Sequence, residues 1–259
     1  MKFTRFRVGS TTYTGVVEND VIREIKGDIF RDWGYTGQVF STNEVKFLAP
    51  LEPNQIIGIG ANFVAKKEDL PKELPEIPVF FFKPTSSVIG PDEDIIIPEG
   101  CSEVKFESEL AVIIGKEAKD VEESEIFEYV FGYTVGNDVT APQFFHEAGH
   151  WTVGKSFDTF TPLGPVIETE LDPINTKIIA RLNGQVKQNS GTDLMIITIQ
   201  KMISYLSKVM TLQPGDVILT GSPVGAEFVG ATDVIECEIE EIGTLRNTFK
   251  AKVKMGAER

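Results

Sequence analysis

Three acidic residues are the first to suggest chemistry. Glu107 and Glu109 stand two apart in VKFESELAVIIG, and Asp138 ends FGYTVGND. In an extended strand, residues i and i+2 project from the same face. The residues that follow, Leu110 to Ile114, are all apolar and point to a core. Two carboxylates side by side in a buried place repel each other and lose hydration. They persist there if protonated, paired with cations or bound to a metal, and oxygen ligands suit hard cations such as Mg²⁺, Mn²⁺ or Ca²⁺. A solvated strand face with two ordinary glutamates gives the same pattern. Asp138 is equally open: it either turns a carboxylate into a site or serves as a turn residue or helix cap.

A second pattern competes. The only two histidines lie in His146-Glu147-Ala148-Gly149-His150. On a helix, H-E-x-x-H puts two zinc ligands on one face with the Glu as base, the arrangement of a zinc metalloprotease. Glu170 is available as a third ligand. Against this, Gly149 weakens the helix, and the following WTVGKSFDTFTPLGP is too rich in Gly and Pro to continue it. The other expectation here is a short polar helix at the rim of a site.

The elements that must carry these residues are mostly strands. KFTRFRV, TYTGVVEND and VIREI give a small β-rich N-terminal domain over 1–53, punctuated by Pro50 and Pro53. From 54 to 254, VFFFKP, DIIIP, ELAVIIG, YVFGYTVGND, PLGPVIE, IIARLNG, DVILTG and VIECEIEEIG are short and rich in β-branched or aromatic residues. One segment has helical spacing, TDLMIITIQKMISYLSKVM, with Thr192 as its expected N-cap and TLQPGD as its stop. Residues 255–259 read as a polar tail. The expected class is α+β and β-dominated, with few helices.

Composition removes several function classes. The 259 residues carry 39 acidic and 25 basic side chains, a net charge of -14 that disfavours binding to a phosphate backbone. No apolar run approaches the ~20 residues that span a bilayer, and MKFTRFRVGSTTYTG does not read as a signal peptide. Cys101 and Cys237 form no metal-ligand spacing and read as reduced thiols. A soluble cytoplasmic protein is expected.

Eight segments in order carry a resemblance: IGIGANF, FFFKPTSSVIGP, FESELAVIIG, YTVGNDVTA, WTVGKSFDTFTPLGPVI, LNGQVKQ, MTLQPGDVILTGSPVG and IGTLRN. Together they resemble the fumarylacetoacetate hydrolase family over nearly all of residues 54–250. The resemblance implies a mixed β-roll catalytic core and a homodimer. It also implies an Mg²⁺ or Mn²⁺ ion held by Glu107, Glu109 and Asp138. Lys155 matches a family lysine near the site, suited to charge stabilisation or proton transfer. Lys83 and Ser222 match positions near the substrate. Members act on 2-oxo acids or their enols by C–C cleavage, decarboxylation or isomerisation. A 2-oxo acid chelates a cation through its carboxylate and keto oxygen, which favours the enolate.

Two departures bear on the reaction. Where hydrolytic members place a lid histidine followed by an acid, this chain has Lys66, and a protonated lysine is a poor base. Glu68 or Asp69 stands in as the candidate acid–base group. Pro142 replaces an arginine that often follows the NDVTA segment. Both changes point to an altered substrate or an altered reaction, and the absence of the lid histidine favours isomerase or decarboxylase chemistry, which needs no activated water. The alternatives are the zinc protease and a non-catalytic metal-binding relative of the family.

Overall fold

The structure, a computed structural model, describes residues 1–252. The polar tail expected at 255–259 lies outside the described residues. The architecture is β-dominated, as expected. Among the described residues, two large sheets, a two-stranded ladder of Val104–Lys105 with Phe228–Val229 and one substantial helix make up most of the regular structure.

The larger sheet has twelve strands. Its centre is Thr161–Glu168, Val130–Asn137, Ser108–Ile114 and Val217–Leu219, followed by Ile56–Ile59 and the edge strand Phe80–Lys83. Most neighbours are antiparallel, but Val217–Leu219 pairs with Ile56–Ile59 in parallel, so the sheet is mixed. The N-terminal strands Lys2–Val8, Thr11–Glu18, Val21–Gly27 and Trp33–Ser41 form a meander that joins this sheet. The join is antiparallel, with Lys2 opposite Glu168 and Phe3 opposite Ile167. The second sheet has five strands in the order Gln185–Gly191, Lys177–Leu182, Val234–Ile239, Gly243–Ala251 and Asp94–Ile97.

The strand Ser108–Ile114 is buried along its whole length. Its side chains divide by parity, as a pleat requires. Leu110, Val112 and Ile114 enter the larger core with Ile178, Ile235 and Phe249 of the five-stranded sheet. Ala111 and Ile113 enter a smaller core with Phe3, Val16 and Leu163. Burial on both faces explains its continuous apolar run. Each of its large side chains contributes about 1.5–3 kcal/mol.

The helix is shorter than its pattern predicts. It spans Ile199–Val209, and its N-cap is Thr198, whose hydroxyl accepts from Lys201 N at 3.2 Å. The expected cap, Thr192, instead opens a 3-10 turn, Thr192–Leu194. The stretch between is extended because a distant residue binds it. Ile196 N donates to Asn62 O at 2.8 Å, and Ile197 N donates to Asn62 Oδ1 at 2.7 Å. Those tertiary bonds, together with the β-branched Ile196 and Ile197, override the helical spacing. Among the described residues no helix is long and apolar enough to cross a membrane.

Candidate metal centre and active site

The antiparallel ladder places the acids. Ser108 lies opposite Asn137 and Glu109 opposite Gly136, so the start of one central strand meets the end of the next. Glu107 lies one residue outside the strand, not within it as the spacing suggests. Its backbone is captured instead: Glu107 N donates to Asn137 Oδ1 at 3.0 Å, and Asp138 N donates to Glu107 O at 2.8 Å. The result is convergence. Glu107, Glu109 and Asp138 each present a carboxylate oxygen, all within 4.8 Å of one another. Glu109 and Asp138 are buried, and Glu107 is half-buried.

Two lysines reach the same point from other elements. Lys83 ends the edge strand Phe80–Lys83, where Phe81 and Lys83 face inward and Phe82 faces out. Its Nζ donates to Asp138 Oδ1 at 2.6 Å and to Val139 O at 3.2 Å. Lys155 closes the single helical turn Thr152–Lys155. Its Nζ donates to Glu107 Oε2 at 2.8 Å and also to Asp138 Oδ2, and sits 4.7 Å from the centre of the Phe81 ring. That turn is seated by Gly154, where a β-carbon would meet Ala141 O at 2.5 Å. Among the described residues, no lysine is in hydrogen-bonding contact with Glu109. Its Oε2 accepts from Gly221 N at 2.7 Å, and Gly221 has a φ of 98°, a left-handed conformation that favours glycine.

These contacts set the protonation tendencies. Burial pushes the Glu109 carboxyl well above the usual glutamate range, and the charges of Asp138 and Glu107 push the same way. For Asp138, burial works toward protonation, but Lys155 and Lys83 outweigh it and hold the group below its usual value. Lys83 is lowered, chiefly by burial. Lys155 is raised: burial opposes its charge, and Asp138 and Glu107 more than restore it.

The three acids suit a hard divalent cation. Their oxygens converge, and Glu109 is a buried carboxyl whose ionisation no direct ammonium partner supports. A dication bound by Glu107, Glu109 and Asp138 supplies that compensation, and oxygen-only donors match Mg²⁺ or Mn²⁺, and also Ca²⁺.

A cavity of about 410 Å³ opens over the acids. Glu107, Asp138 and Lys155 line it together with Ser222, Phe81 and Trp151. Ser222 is held by Gln188, a fully buried amide. Gln188 Nε2 donates to Ser222 Oγ at 2.8 Å and to Pro223 O at 2.6 Å, while its Oε1 accepts from Ser108 N at 3.1 Å. Lys83 stands behind Asp138 and is not part of the wall.

Other sequence candidates fall elsewhere. Glu68 and Asp69 sit on the exposed 3-10 turn Lys67–Asp69, outside the cavity lining, as does Lys66. The H-E-x-x-H residues form no helix, neither a zinc-binding one nor a short polar one. His146 to His150 is an exposed turn closed by His146 N donating to His150 O at 2.9 Å, with Gly149 at a φ of 85°. His146 Nδ1 is occupied as acceptor of Ala148 N at 3.0 Å. The left-handed glycine breaks the 3.6-residue period that would put both rings on one helical face, so the zinc protease arrangement is not built.

Three residues at the site escaped the sequence reading. Asn137 and Gln188 act through amides that look like ordinary strand residues. Lys105 lines the cavity beside Glu107. Its position two residues before Glu107, on the same side of an extended segment, was the available signal.

Comparison with known proteins bears on this geometry. Residues 55–250 match the family model for the fumarylacetoacetate (FAA) hydrolase C-terminal domain, and residues 1–50 match a model described as Rv2993c-like, N-terminal. The mitochondrial oxaloacetate tautomerase of Xenopus laevis is 41% identical over 222 residues, covering 81% of this chain and 70% of that protein. The crystal structure of 5-carboxymethyl-2-hydroxymuconate delta-isomerase from Mycobacterium smegmatis is 38% identical with a TM-score of 0.91, covering 97% of this chain and 100% of the other. A maleylpyruvate hydrolase from Sphingobium sp. SYK-6, solved in complex with manganese(II) ion and pyruvate, is 28% identical with a TM-score of 0.82, covering 98% of this chain and 100% of the other.

Proposed function

Because the chain belongs to the fumarylacetoacetate hydrolase family, whose members are enzymes, we propose that it moves a proton on a small 2-oxo acid, interconverting keto and enol forms or isomerising a related dienol. The observation that carries this reading is a convergent carboxylate triad, two of whose members, Glu107 and Asp138, line one cavity with Lys155. No histidine lines that cavity among the described residues, and Glu68 and Asp69 lie outside it. Water activation of the kind C–C hydrolysis needs therefore has neither a histidine nor either of those acids to serve it, whereas proton transfer next to the oxo group has Lys155 in the cavity wall to carry the proton.

Glu107, Glu109 and Asp138 would hold an Mg²⁺ or Mn²⁺ ion. That ion, when bound, supplies Lewis acidity toward the oxo and carboxylate oxygens of the substrate. The chain's own residues do the rest. Lys155 holds a proton at Nζ, within the cavity wall and beside the acids, where it is delivered to or taken from the carbon next to the oxo group. Lys83 offsets the charge of Asp138 from behind. Ser222, fixed by Gln188, offers a hydroxyl to the substrate. Phe81 and Trp151 exclude water from one side of the cavity, which strengthens the electrostatic contacts inside it.

The test is proton exchange at that carbon. Purified protein with added Mg²⁺ or Mn²⁺ is given a 2-oxo acid in deuterated water, and exchange is followed by NMR. Exchange that requires the metal and disappears in Glu109→Gln and Lys155→Met supports the reading. Exchange that persists in Glu109→Gln, or rapid cleavage of an acylpyruvate by the native protein, overturns it.

A further inference from the structure

The reaction proposed above leaves one cation on the cavity wall without a task. Among the described residues lining the cavity, Lys105 and Lys155 are the only cations. Lys155 is buried and engaged by Glu107 and Asp138. Lys105 is more exposed and more loosely held. Its side chain is 30% exposed, and its Nζ stands 3.6 Å from Glu107 Oε1, beyond a hydrogen bond. That long ion pair takes up no N–H donor in a hydrogen bond, so the ammonium can turn its donors to a ligand, while the residue's backbone is fixed. Lys105 N donates to Thr140 O at 2.9 Å, Thr140 N donates to Lys105 O at 3.0 Å, and the residue pairs with Phe228 in a short ladder. A pinned root with an ammonium that makes no side-chain hydrogen bond is the form of a binding side chain rather than a structural one.

Charge balance gives that ammonium a ligand. Glu107, Glu109 and Asp138 carry three negative charges when ionised, and Lys83, Lys155 and Lys105 carry three positive ones. They cancel. A divalent ion on the acids leaves the cluster two charges positive, inside a protein whose net charge is -14. A monocarboxylate neutralises half of that excess, and a dicarboxylate neutralises all of it. Lys155 and Lys105 also contact opposite oxygens of Glu107, Oε2 and Oε1. A substrate whose reacting end is addressed by Lys155 thus has the second ammonium nearby for its far end. The rest of the lining, including Phe81, Trp151, Pro223 and Val224, offers no other cation to a second carboxylate.

We propose that Lys105 is the specificity-determining residue that selects 2-oxo diacids over 2-oxo monoacids, by binding the carboxylate remote from the oxo group. The proposal rests on the 2-oxo acid reading. Two four-carbon substrates separate it from a structural role: oxaloacetate, a diacid, and 2-oxobutanoate, a monoacid of similar length. Native protein with Mg²⁺ is compared with Lys105→Met and Lys105→Arg for deuterium exchange next to the oxo group. Lys105→Met is expected to lower the ratio of kcat/KM for diacid over monoacid about 10- to 100-fold, through KM, the size of one lost charge-assisted hydrogen bond. Lys105→Arg restores much of the ratio. If Lys105 only orients Glu107, both substrates suffer alike and the ratio stays put, which overturns the proposal.

A binding arm keeps the two readings separable. L-malate and 2-hydroxybutanoate are titrated calorimetrically into the same magnesium-loaded proteins. Native preference for malate that is lost in Lys105→Met upholds the role of Lys105, even if neither oxo acid is turned over and the reaction assignment fails. Equal affinity for the two hydroxy acids in the native protein sinks the role of Lys105, whatever the exchange assay shows.

Discussion

Two regions of this molecule carry metal-ligating residue types at suggestive spacings, and they come to opposite ends. The carboxylate cluster sits where the start of one central strand meets the end of the next, with its backbone locked by Asn137 and its oxygens engaged by Lys155, Lys83 and Gly221. The His146–His150 turn lies in solvent, and one imidazole nitrogen is already used to close the turn. The difference teaches that a ligand set depends on what immobilises it. Burial makes an uncompensated charge costly and so gives a cation something to relieve, whereas an exposed turn already has water.

Mutation should separate the two regions sharply. The largest effect is expected from Glu109→Gln, which keeps the contact with Gly221 N but removes a charge. Turnover should fall by about four orders of magnitude, as loss of a metal ligand worth several kcal/mol implies. Elemental analysis should show the bound metal gone. Retention of stoichiometric metal would break the contrast drawn here.

Lys155→Met comes next. It leaves Glu107 Oε2 and Asp138 Oδ2 without their ammonium, and breaking a buried pair costs about 3–5 kcal/mol. Chemical denaturation of metal-free protein should show that loss, and saturating Mn²⁺ should restore part of it. A variant as stable as the native protein without metal would mean the lysine is not compensating the acids.

The third effect depends on pH. Burial, then Asp138 and Glu107, raise the Glu109 carboxyl, so the metal-free folded state holds this proton more tightly than the unfolded chain does. Its contribution to stability is full below the usual glutamate value of 4.5 and is lost as pH rises through the raised value. A cation must displace that proton, so binding tightens over the same window. Thermal melts in a pH series should therefore show the Mn²⁺-induced rise in Tm growing above about pH 4.5. A Tm shift that does not change with pH would place the proton elsewhere.

The smallest effects belong outside the cluster. Thr198→Ala removes a helix cap and should cost about 1 kcal/mol without altering metal content. His146→Ala and His150→Ala should each change stability by less than about 0.5 kcal/mol, with bound metal and turnover as in the native protein. Zinc lost from either histidine variant would reverse the ranking of the two regions.

The pattern of these outcomes follows what was legible in the sequence. Strands that alternate, such as Lys2–Val8, or run apolar throughout, such as Ser108–Ile114, declare themselves because their own residues determine their burial. The exposed strand Trp33–Ser41, held largely by pairing with Val21–Gly27, has no such pattern and was not foreseen. The helix start was misplaced because Asn62, 135 residues before Ile197, holds that stretch extended. The site divides in the same way. Glu107, Glu109 and Asp138 were found from residue type and motif. Their convergence depends on Asn137 reaching back 30 residues to Glu107, and on Lys83 and Lys155 arriving from separate elements. Gln188 carries no local signal because its partners, Ser108, Ser222 and Pro223, come from elsewhere in the fold, and Lys105 is marked only by its spacing from Glu107.

The double burial of Ser108–Ile114 has a kinetic side. A strand with a core on each face cannot shed one neighbour without opening the other, so its amides exchange with solvent only when the whole molecule unfolds. Glu109 belongs to that strand, and Glu107 is attached to its first residue. Local breathing that loosens surface loops leaves these two acids in register. On heating, the ligand set should remain intact up to the global transition and vanish with it, so that inactivation and unfolding follow one rate.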